Sequence, residues 1–184
     1  MPGHHSEWHS ILKLGRRGHR AWFSASCSLV RVVPLGDHNR AAFSCGNASL
    51  DRYIREQASQ DVKRGLASVF VITAKQVLAY YTLSRRELKL DQLPEENAKK
   101  VGKYGHVGVA LFGRMAVTEK YKEAGLGALT LMNALHKSLL AATDVASLAV
   151  FIEAIDSDTA NFYRKYVKRA YIEGYPARTQ TPIG

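Results

Sequence analysis

A short glycine-containing segment between a predicted strand and a predicted helix is the part of the sequence best suited to chemistry. The apolar run 107–117 predicts a strand, and Gly125-Leu-Gly127 stands where the next helix begins. Glycines let backbone amides approach a ligand, and the start of a helix presents unpaired N–H groups with partial positive charge. These features fit an anion such as a pyrophosphate. A glycine turn needed only for tight packing gives the same pattern, so both interpretations stay open at this point.

The elements that would position this segment form one mixed α/β sheet, in which hairpins are combined with β-α-β crossovers. Only residues 74–76 separate two of the predicted strands, which indicates an antiparallel hairpin. A short helix is expected after Leu93, and the tail from Lys168 has room for one or two short strands. Strands are predicted at 29–34, 67–73, 77–84, 107–117 and 147–155, and helices at 47–64, 125–143 and 156–166.

Helical periodicity predicts which side chains each helix buries. Asn47 or Ser49 is expected to cap the first helix, and Gly65 is expected to end it. The apolar stripe of that helix is Leu50, Tyr53, Ile54, Ala58 and Val62, and its charged opposite face is Asp51, Arg52, Arg55, Glu56, Lys63 and Arg64. The apolar positions expected in the core from the long helix include Leu126, Leu129, Met132, Leu135 and Leu139.

Length and composition indicate one globular domain. The chain has 184 residues, of which 46% are apolar and 23% charged. Residues 1–28 lack clear periodicity and are interpreted as an irregular N-terminal extension, which leaves 29–184 as the folded domain. No apolar run approaches the roughly 20 residues of a membrane-spanning helix. The two cysteines and seven histidines form no disulfide framework and no metal-ligand spacing. We therefore expect a soluble, cytoplasmic protein without a metal site.

The charge balance is strongly basic, with 26 Lys and Arg against 16 Asp and Glu and a net charge of +10. Such an excess favours a polyanionic partner, such as nucleic acid or an acidic protein. It also increases solubility with no partner at all. The charge alone does not decide between these two interpretations.

The segment from Lys122 to Gly127 resembles the acetyl-coenzyme A loop of Gcn5-related N-acetyltransferases, whose pattern is Arg/Gln-x-x-Gly-x-Gly/Ala. Lys122 departs from that pattern, and a lysine is still a suitable phosphate partner. Four blocks in order are similar to the acetyltransferase toxins of bacterial toxin–antitoxin pairs. They are Phe43-Ser-Cys-Gly46 followed by Leu50, Ala79-Tyr-Tyr-Thr-Leu-Ser84, Gly113-Arg-Met-Ala-Val117, and Ala154-Ile-Asp with Ala160-Asn-Phe-Tyr-Arg164.

This resemblance implies a fold, a reaction and partners. The fold is a central, mostly antiparallel, twisted sheet with a splayed strand pair and flanking helices. The activity is acetyl-coenzyme A-dependent acetylation of the α-amine of an aminoacyl-tRNA, which stops translation. The partners implied are a ribbon-helix-helix antitoxin and a second copy of the chain in a homodimer. The basic charge agrees with a tRNA ligand, because such a ligand offers many phosphates.

The resemblance also assigns roles to residues. Tyr163 is expected to protonate the leaving thiolate, and the N–H group of Val117 to stabilise the oxyanion. Glu153 or Asp156 could act as a base, but a structural or capping role is the favoured interpretation for each of them. The expected cofactor contacts are Met115, Ala116, Val117, Lys122, Glu123, Ala124, Gly125, Leu126, Gly127, Ala128 and Asn161. Candidate tRNA contacts are Arg52, Arg55, Lys63, Arg64, Arg85 and Arg86, with Lys99, Lys100, Lys103, Arg164 and Lys165.

Two alternative functions stay open. One is an acetyltransferase of the same fold that acts on another amine, such as a protein N-terminus, a lysine or a small molecule. The other is a degenerate, non-catalytic binding module. The second draws on the C-terminus, where Val167-Lys168-Arg169 lacks the glycine that usually ends the last helix and where 179–184 is polar. The intact glycine loop and Tyr163 argue against it.

Overall fold

The sheet has six strands in the described part of the chain, in the order β1-β2-β3-β4-β5-β6. The structure is a computed structural model, and it describes residues 30–93, 98–99, 105–145, 147, 149–167 and 171–173. The predicted extension 1–28 and the polar end 179–184 lie outside these residues. The first three strand pairings are antiparallel, whereas β4 with β5 and β5 with β6 are parallel. The expected mixed, mostly antiparallel sheet is confirmed. The strands are β1 (Arg31–Pro34), β2 (Ser68–Thr73), β3 (Val77–Lys89), β4 (His106–Val117), β5 (Val150–Glu153) and β6 (Tyr171–Glu173).

Among the described residues, three helices and two short 3₁₀ segments connect these strands, and Ala98 and Lys99 are also helical, where a short helix was expected after Leu93. The first helix, α1, consists of Ala48–Arg52, a π-helical turn at Tyr53–Gln57, and Ala58–Lys63. The second and third, α2 and α3, are Leu126–Val145 and Ser157–Tyr166. The 3₁₀ segments are Leu90–Gln92 and Glu119–Ala124. No helix among the described residues is both long and apolar enough to cross a membrane.

Helix α1 begins as predicted and then departs from a regular α-helix. The Asn47 side chain accepts hydrogen bonds from the N–H groups of Ser49 and Leu50, and so caps the helix. The predicted stripe is buried except for Val62, which is 38% exposed. The π turn adds one residue to a helical turn and rotates the residues that follow it. Asp51 is also buried, because its carboxylate accepts the N–H group of Cys45 at 2.8 Å.

The buried stripe of α2 differs from the predicted one. Leu126 is buried, but Leu129, Met132 and Leu139 are 37%, 48% and 69% exposed. The buried positions are instead Leu126, Thr130, Leu131, Ala134 and Ser138. The hydroxyl groups of Thr130 and Ser138 donate to the carbonyl groups of Leu126 and Ala134, four residues back. Thr130, Ala134 and Ser138 are small, and the two hydroxyl groups are hydrogen-bonded within the helix. These side chains can therefore face the sheet without leaving a polar group unpaired.

Two adjacent tyrosines of β3 show how the helices cover the sheet. Tyr80 packs against Tyr53 of α1, and its hydroxyl group donates to the Leu50 carbonyl oxygen at 2.8 Å. Tyr81 points to the opposite face, where its hydroxyl group donates to Asn133 Oδ1 of α2 at 2.6 Å. Side chains alternate along a strand, so α1 covers one face, and α2 with α3 covers the other.

Candidate active site

A β-bulge interrupts the regular pairing of β4 with β3 at Gly113 and Arg114. Met115 pairs with Tyr81 and Phe112 pairs with Leu83, so Gly113 and Arg114 together stand opposite Thr82. The Thr82 hydroxyl oxygen accepts the N–H group of Arg114 at 2.9 Å. A β-carbon on Gly113 would lie only 3.2 Å from that oxygen. Thr82 thus fills the space inside the bulge. The bulge bends the strand and changes the direction of the residues that follow it.

Beyond the bulge, β4 leaves β5. The two strands pair only from Ala110 to Phe112. On the other edge, the N–H group of Thr118 donates to the Leu78 carbonyl oxygen at 2.8 Å. In an antiparallel ladder this bond makes Ala79 and Val117 a pair that exchanges no hydrogen bonds. The N–H and C=O groups of Val117 therefore point away from β3, into the opening between β4 and β5.

The predicted anion loop follows this opening directly. The Glu119–Ala124 segment ends at Gly125, whose φ of +77° lies in the left-handed region that favours glycine. The N–H group of Leu129 donates to the Gly125 carbonyl oxygen at 3.2 Å. The N–H groups of Leu126, Gly127 and Ala128 precede that first helical bond. They form the positive end of a 20-residue helix.

The loop is held by a segment whose role was not predicted from the sequence. The N–H group of Glu119 donates to the Ser44 carbonyl oxygen at 3.0 Å. A β-carbon on Gly46, which has a φ of +80°, would lie 2.8 Å from Glu119 Oε1 and 3.6 Å from Lys122 Nζ. The Phe43–Gly46 block therefore braces the loop from the α1 side. Cys45 is buried there, and burial followed by a bond to Asp51 raises its thiol pKa to about 11, so it is not a reactive thiolate.

Tyr163 of α3 lies on the face of the sheet opposite to α1. It is 2% exposed, and its ring packs edge-on against the ring of Phe112 of β4, with the two ring centroids 5.8 Å apart. Burial, followed by the charge of Asp156, raises the pKa of Tyr163 above its usual value, which keeps the phenol neutral. The preceding Phe162 contacts the loop, since a β-carbon on Gly127 would lie 3.3 Å from its Cζ atom. Tyr163 is thus tied to β4 directly and to the loop through its neighbour.

The remaining polar candidates separate into different environments. Asn161 is exposed, and its Oδ1 atom accepts a bond from Arg164 at 3.0 Å, whereas Phe162 is the residue of α3 that contacts Gly127. Asp156 caps α3 by accepting the Thr159 N–H group at 2.7 Å, which lowers the pKa of this carboxyl group. Glu153 forms an ion pair with Arg86 at 2.6 Å. These bonds give both carboxylates the structural roles that the sequence left open.

The basic residues form two groups. Arg52 and Lys63 are exposed on α1, Arg64 is exposed directly after its end, and Arg55 lies 3.7 Å from the Asp51 carboxylate. Arg85 and Arg86 are neighbours on β3 and therefore project to opposite faces of the sheet. Arg86 also lies over the Phe151 ring at 4.7 Å. Lys100 and Lys103 lie outside the described residues.

A cavity of about 550 Å³ opens on the α1 face of the bulge. Its walls come from α1, from β3 and β4 at the bulge, and from the end of β5, and they are lined by Ser49, Leu50, Asp61, Leu66, Ala67, Thr82, Ser84, Leu111, Gly113, Arg114, Glu153, Ala154 and Ile155. Tyr163 packs on the opposite face. The cavity and the Tyr163 ring thus flank the same part of β4, around Phe112 and Gly113.

Sequence comparisons identify toxins as relatives of the chain. No protein-family model matches it. It is 22% identical over 134 residues to a probable toxin TacT of Sinorhizobium fredii, and the matched region covers 71% of this chain and 74% of that protein. It is 28% identical over 123 residues to a tRNA-acetylating toxin of Mycobacterium tuberculosis, with coverage of 66% and 73%.

Structural comparisons agree with these relatives. AtaT complexed with acetyl-methionyl-tRNAfMet superimposes with a TM-score of 0.68, at 22% identity over 74% of this chain and 84% of that one. A tyrosine-to-phenylalanine mutant of KacT gives a TM-score of 0.68, at 20% identity and the same coverage. AtaTR bound with acetyl-coenzyme A gives 0.65, at 22% identity over 74% and 83%. The chain has the fold of the Gcn5-related N-acetyltransferase toxins, and its sequence relatives include a tRNA-acetylating toxin.

Proposed function

We propose that this chain is an acetyl-coenzyme A-dependent N-acetyltransferase that acetylates the α-amine of aminoacyl-tRNA and acts as the toxin of a toxin–antitoxin pair. The observation that carries the proposal is the outward-facing N–H group of Val117 in the opening of the sheet, directly before the Gly125–Ala128 helix start. The relatives named as tRNA-acetylating toxin and as AtaT bound to acetyl-methionyl-tRNAfMet support the same reaction.

The cofactor would bind along the α2 face of the opening. The N–H groups of Gly125, Leu126, Gly127 and Ala128 suit the pyrophosphate, since they combine free donors with the positive helix end. Lys122 and the backbone of Glu123 and Ala124 lie in the same turn. The backbone N–H and C=O groups of Met115 and Val117, which face away from β3, would offer hydrogen bonds to an extended amide-bearing arm, and Ala116 lies between them. Asn161 would contribute from α3, where Phe162 already meets the loop.

The reaction would join the two faces of the sheet. The neutral α-amine attacks the thioester carbonyl carbon, and the Val117 N–H group donates to the oxyanion that forms. The C–S bond then breaks, the amine loses a proton to water, and the departing sulfur receives a proton from the Tyr163 hydroxyl group. The raised pKa of Tyr163 keeps this proton in place before transfer. An aminoacyl ester has a fairly acidic ammonium group, so water suffices as base.

The proposed partners have their own support. The basic residues Arg52 and Lys63 on α1 and Arg64 directly after it, with Arg55 beside them and Arg85 and Arg86 on β3, suit a tRNA backbone. Structures of AtaT bound to the C-terminus of the antitoxin AtaR and of a KacTA–DNA complex support a paired antitoxin, for which we propose a ribbon-helix-helix protein. The exposed apolar side chains of α2, including Met132 and Leu139, support a contact between two copies in a homodimer.

A cell-free translation reaction tests the proposed function. The extract is depleted of acetyl-coenzyme A, and the purified chain is added with and without the cofactor. We expect inhibition only when acetyl-coenzyme A is present, and recovery when freshly charged tRNA is supplied. Inhibition that needs no cofactor would favour a binding module. Full translation in the presence of the cofactor would contradict the proposal and leave another amine as the acceptor.

A further inference from the structure

The Tyr53 side chain carries a buried hydroxyl group that has no hydrogen-bond partner among the described residues. The residue is only 2% exposed, and its ring is fixed between Tyr80 of β3 and Arg114 of β4. A buried hydroxyl group without a partner is costly and uncommon in native structures, where it usually marks a place for a water, an ion or a ligand. Burial, followed by the neighbouring Asp61, raises the Tyr53 pKa to about 12. The group is therefore a neutral donor.

The π turn of α1 is the local device that brings Tyr53 and Asp61 together. Its i→i+5 hydrogen bond joins the N–H group of Ala58 to the Tyr53 carbonyl oxygen. Ala58 therefore takes the position above Tyr53 that residue 57 would hold in a regular α-helix, and Asp61 follows one turn later. Single π turns of this kind occur frequently at functional sites. Asp61 then lines the cavity on the α1 face.

Arg114 completes the arrangement from the bulge. Its guanidinium carbon lies 4.1 Å from the centre of the Tyr53 ring, and its side chain lines the same cavity. Within the described chain, Asp61 and Arg114 form no ion pair with each other. Both keep hydrogen-bonding capacity for a ligand, and their opposite charges offset one another. A charged ligand would gain little electrostatic energy from this oppositely charged pair. A neutral group with both a hydrogen-bond donor and an acceptor would bind to Asp61 and Arg114 together.

We propose that Asp61 and Arg114, with Tyr53 packed behind them, form a specificity-determining wall of the cavity, which selects acceptors whose aminoacyl group carries an uncharged, hydrogen-bonding side chain over those with an aliphatic one. This inference rests on the proposed function. An amide or hydroxyl side chain would donate to Asp61 and accept from Arg114, and Tyr53 would position both residues. An aliphatic side chain would leave Asp61 and Arg114 unsatisfied, and such sites discriminate strongly against a substrate that lacks the polar group.

The test is a panel of individually charged tRNAs assayed for kcat/KM with the wild-type chain, Tyr53→Phe and Asp61→Asn. Glu56→Gln is the matched control, because Glu56 is exposed on α1 and does not line the cavity. We expect the wild type to prefer acceptors with amide or hydroxyl side chains. Asp61→Asn should lower kcat/KM for those acceptors about tenfold or more, and Tyr53→Phe should lower it for the same acceptors by removing the hydroxyl group that positions Asp61. Aliphatic acceptors and the KM for acetyl-coenzyme A should stay within about twofold.

The outcomes separate the two proposals. A wild-type preference for aliphatic acceptors, or an equal effect of Tyr53→Phe on every acceptor, would overturn the specificity wall while the proposed function stands. Acetylation of no charged tRNA by the wild type would overturn the proposed function and the wall with it. The wild-type ranking needs no variant, so the inference is testable even if a substitution lowers the yield of folded protein.

Discussion

Gly127 of α2 and Phe162 of α3 are in direct contact, and a β-carbon on Gly127 would lie 3.3 Å from Phe162 Cζ and 3.9 Å from Val117 Cγ2. This contact joins the proposed cofactor loop, the helix that carries Tyr163 and the end of β4. It explains why the second glycine of the loop has no side chain. The glycine permits close packing of α2 against α3 as well as access to the backbone.

Gly127→Ala is therefore expected to weaken acetyl-coenzyme A binding. The added methyl group must displace the Phe162 ring by a few tenths of an ångström or move the helix start. Isothermal titration should give a Kd that rises about fivefold or more. Gly105→Ala is the control, because a β-carbon there meets nothing within 4 Å, and its Kd should equal that of the wild type. Equal Kd values for Gly127→Ala and the wild type would contradict this account of the loop.

A different prediction applies to Gly125, because this position requires a left-handed backbone angle but has room for a side chain. Its φ is +77°, and a β-carbon there meets nothing within 4 Å. Gly125→Ala should destabilise the chain by about 1–2 kcal/mol, the usual strain of a left-handed residue. Gly125→Asn should cost less, since asparagine tolerates this conformation. Thermal unfolding measures both, and an alanine variant as stable as the asparagine variant would show that the backbone angle is not the constraint.

Asp156 allows its capping role to be separated from a role as base. Asp156→Asn keeps an oxygen that can accept the Thr159 N–H group, whereas Asp156→Ala removes it. We expect the asparagine variant to keep both Tm and kcat, and the alanine variant to lose Tm. Loss of kcat in the asparagine variant would assign Asp156 as the base.

The lowered pKa of Asp156 also fixes the direction of its pH effect. Because the folded value lies below the ordinary value of 3.8, its contribution to stability is present above that pH. The contribution is lost as the pH falls through the folded pKa. The Tm difference between the wild type and Asp156→Ala should therefore shrink in acid, and a constant difference would contradict the assignment.

The raised pKa values of the buried tyrosines predict a loss of folding stability at alkaline pH. Burial raises the pKa values of Tyr53, Tyr80, Tyr81 and Tyr163 above 10.0. A raised folded pKa contributes stability that is complete below the unfolded value and is lost as the pH rises towards the folded one. The denaturant midpoint should therefore fall above about pH 10. Phenolate absorbance from these residues should appear together with unfolding, and its appearance in a fully folded chain would contradict their burial.

The sequence predicted most of the frame of the site because strong local patterns define it. The apolar run of β4, the glycines at 125 and 127, and the caps at Asn47 and Asp156 all lie where they were expected. Each of these features depends on residues close together in the chain. The role of the Phe43–Gly46 block as a brace was not predictable in this way, since it depends on a contact with Glu119, far along the chain.

Features set by packing departed from the sequence expectations. The predicted stripe of α2 favoured large apolar residues, but the sheet accepts Thr130, Ala134 and Ser138, because small side chains permit a closer approach. The π turn in α1 has no sequence signal, and it exposes Val62. Strand β3 extends to Lys89, although its last residues are charged, because its pairing with β4 continues to His106.

The most direct measurement of the central claim is the transfer of labelled acetyl groups to a pool of charged tRNA. Deacylated tRNA, Tyr163→Phe and Tyr166→Phe are assayed beside it. Tyr166 is the matched control, since it lies on the same helix but is 39% exposed. We predict label on charged tRNA alone, a loss of about 10²-fold or more in kcat for Tyr163→Phe, and a wild-type rate for Tyr166→Phe. Label on deacylated tRNA, or no label despite bound acetyl-coenzyme A, would contradict the account.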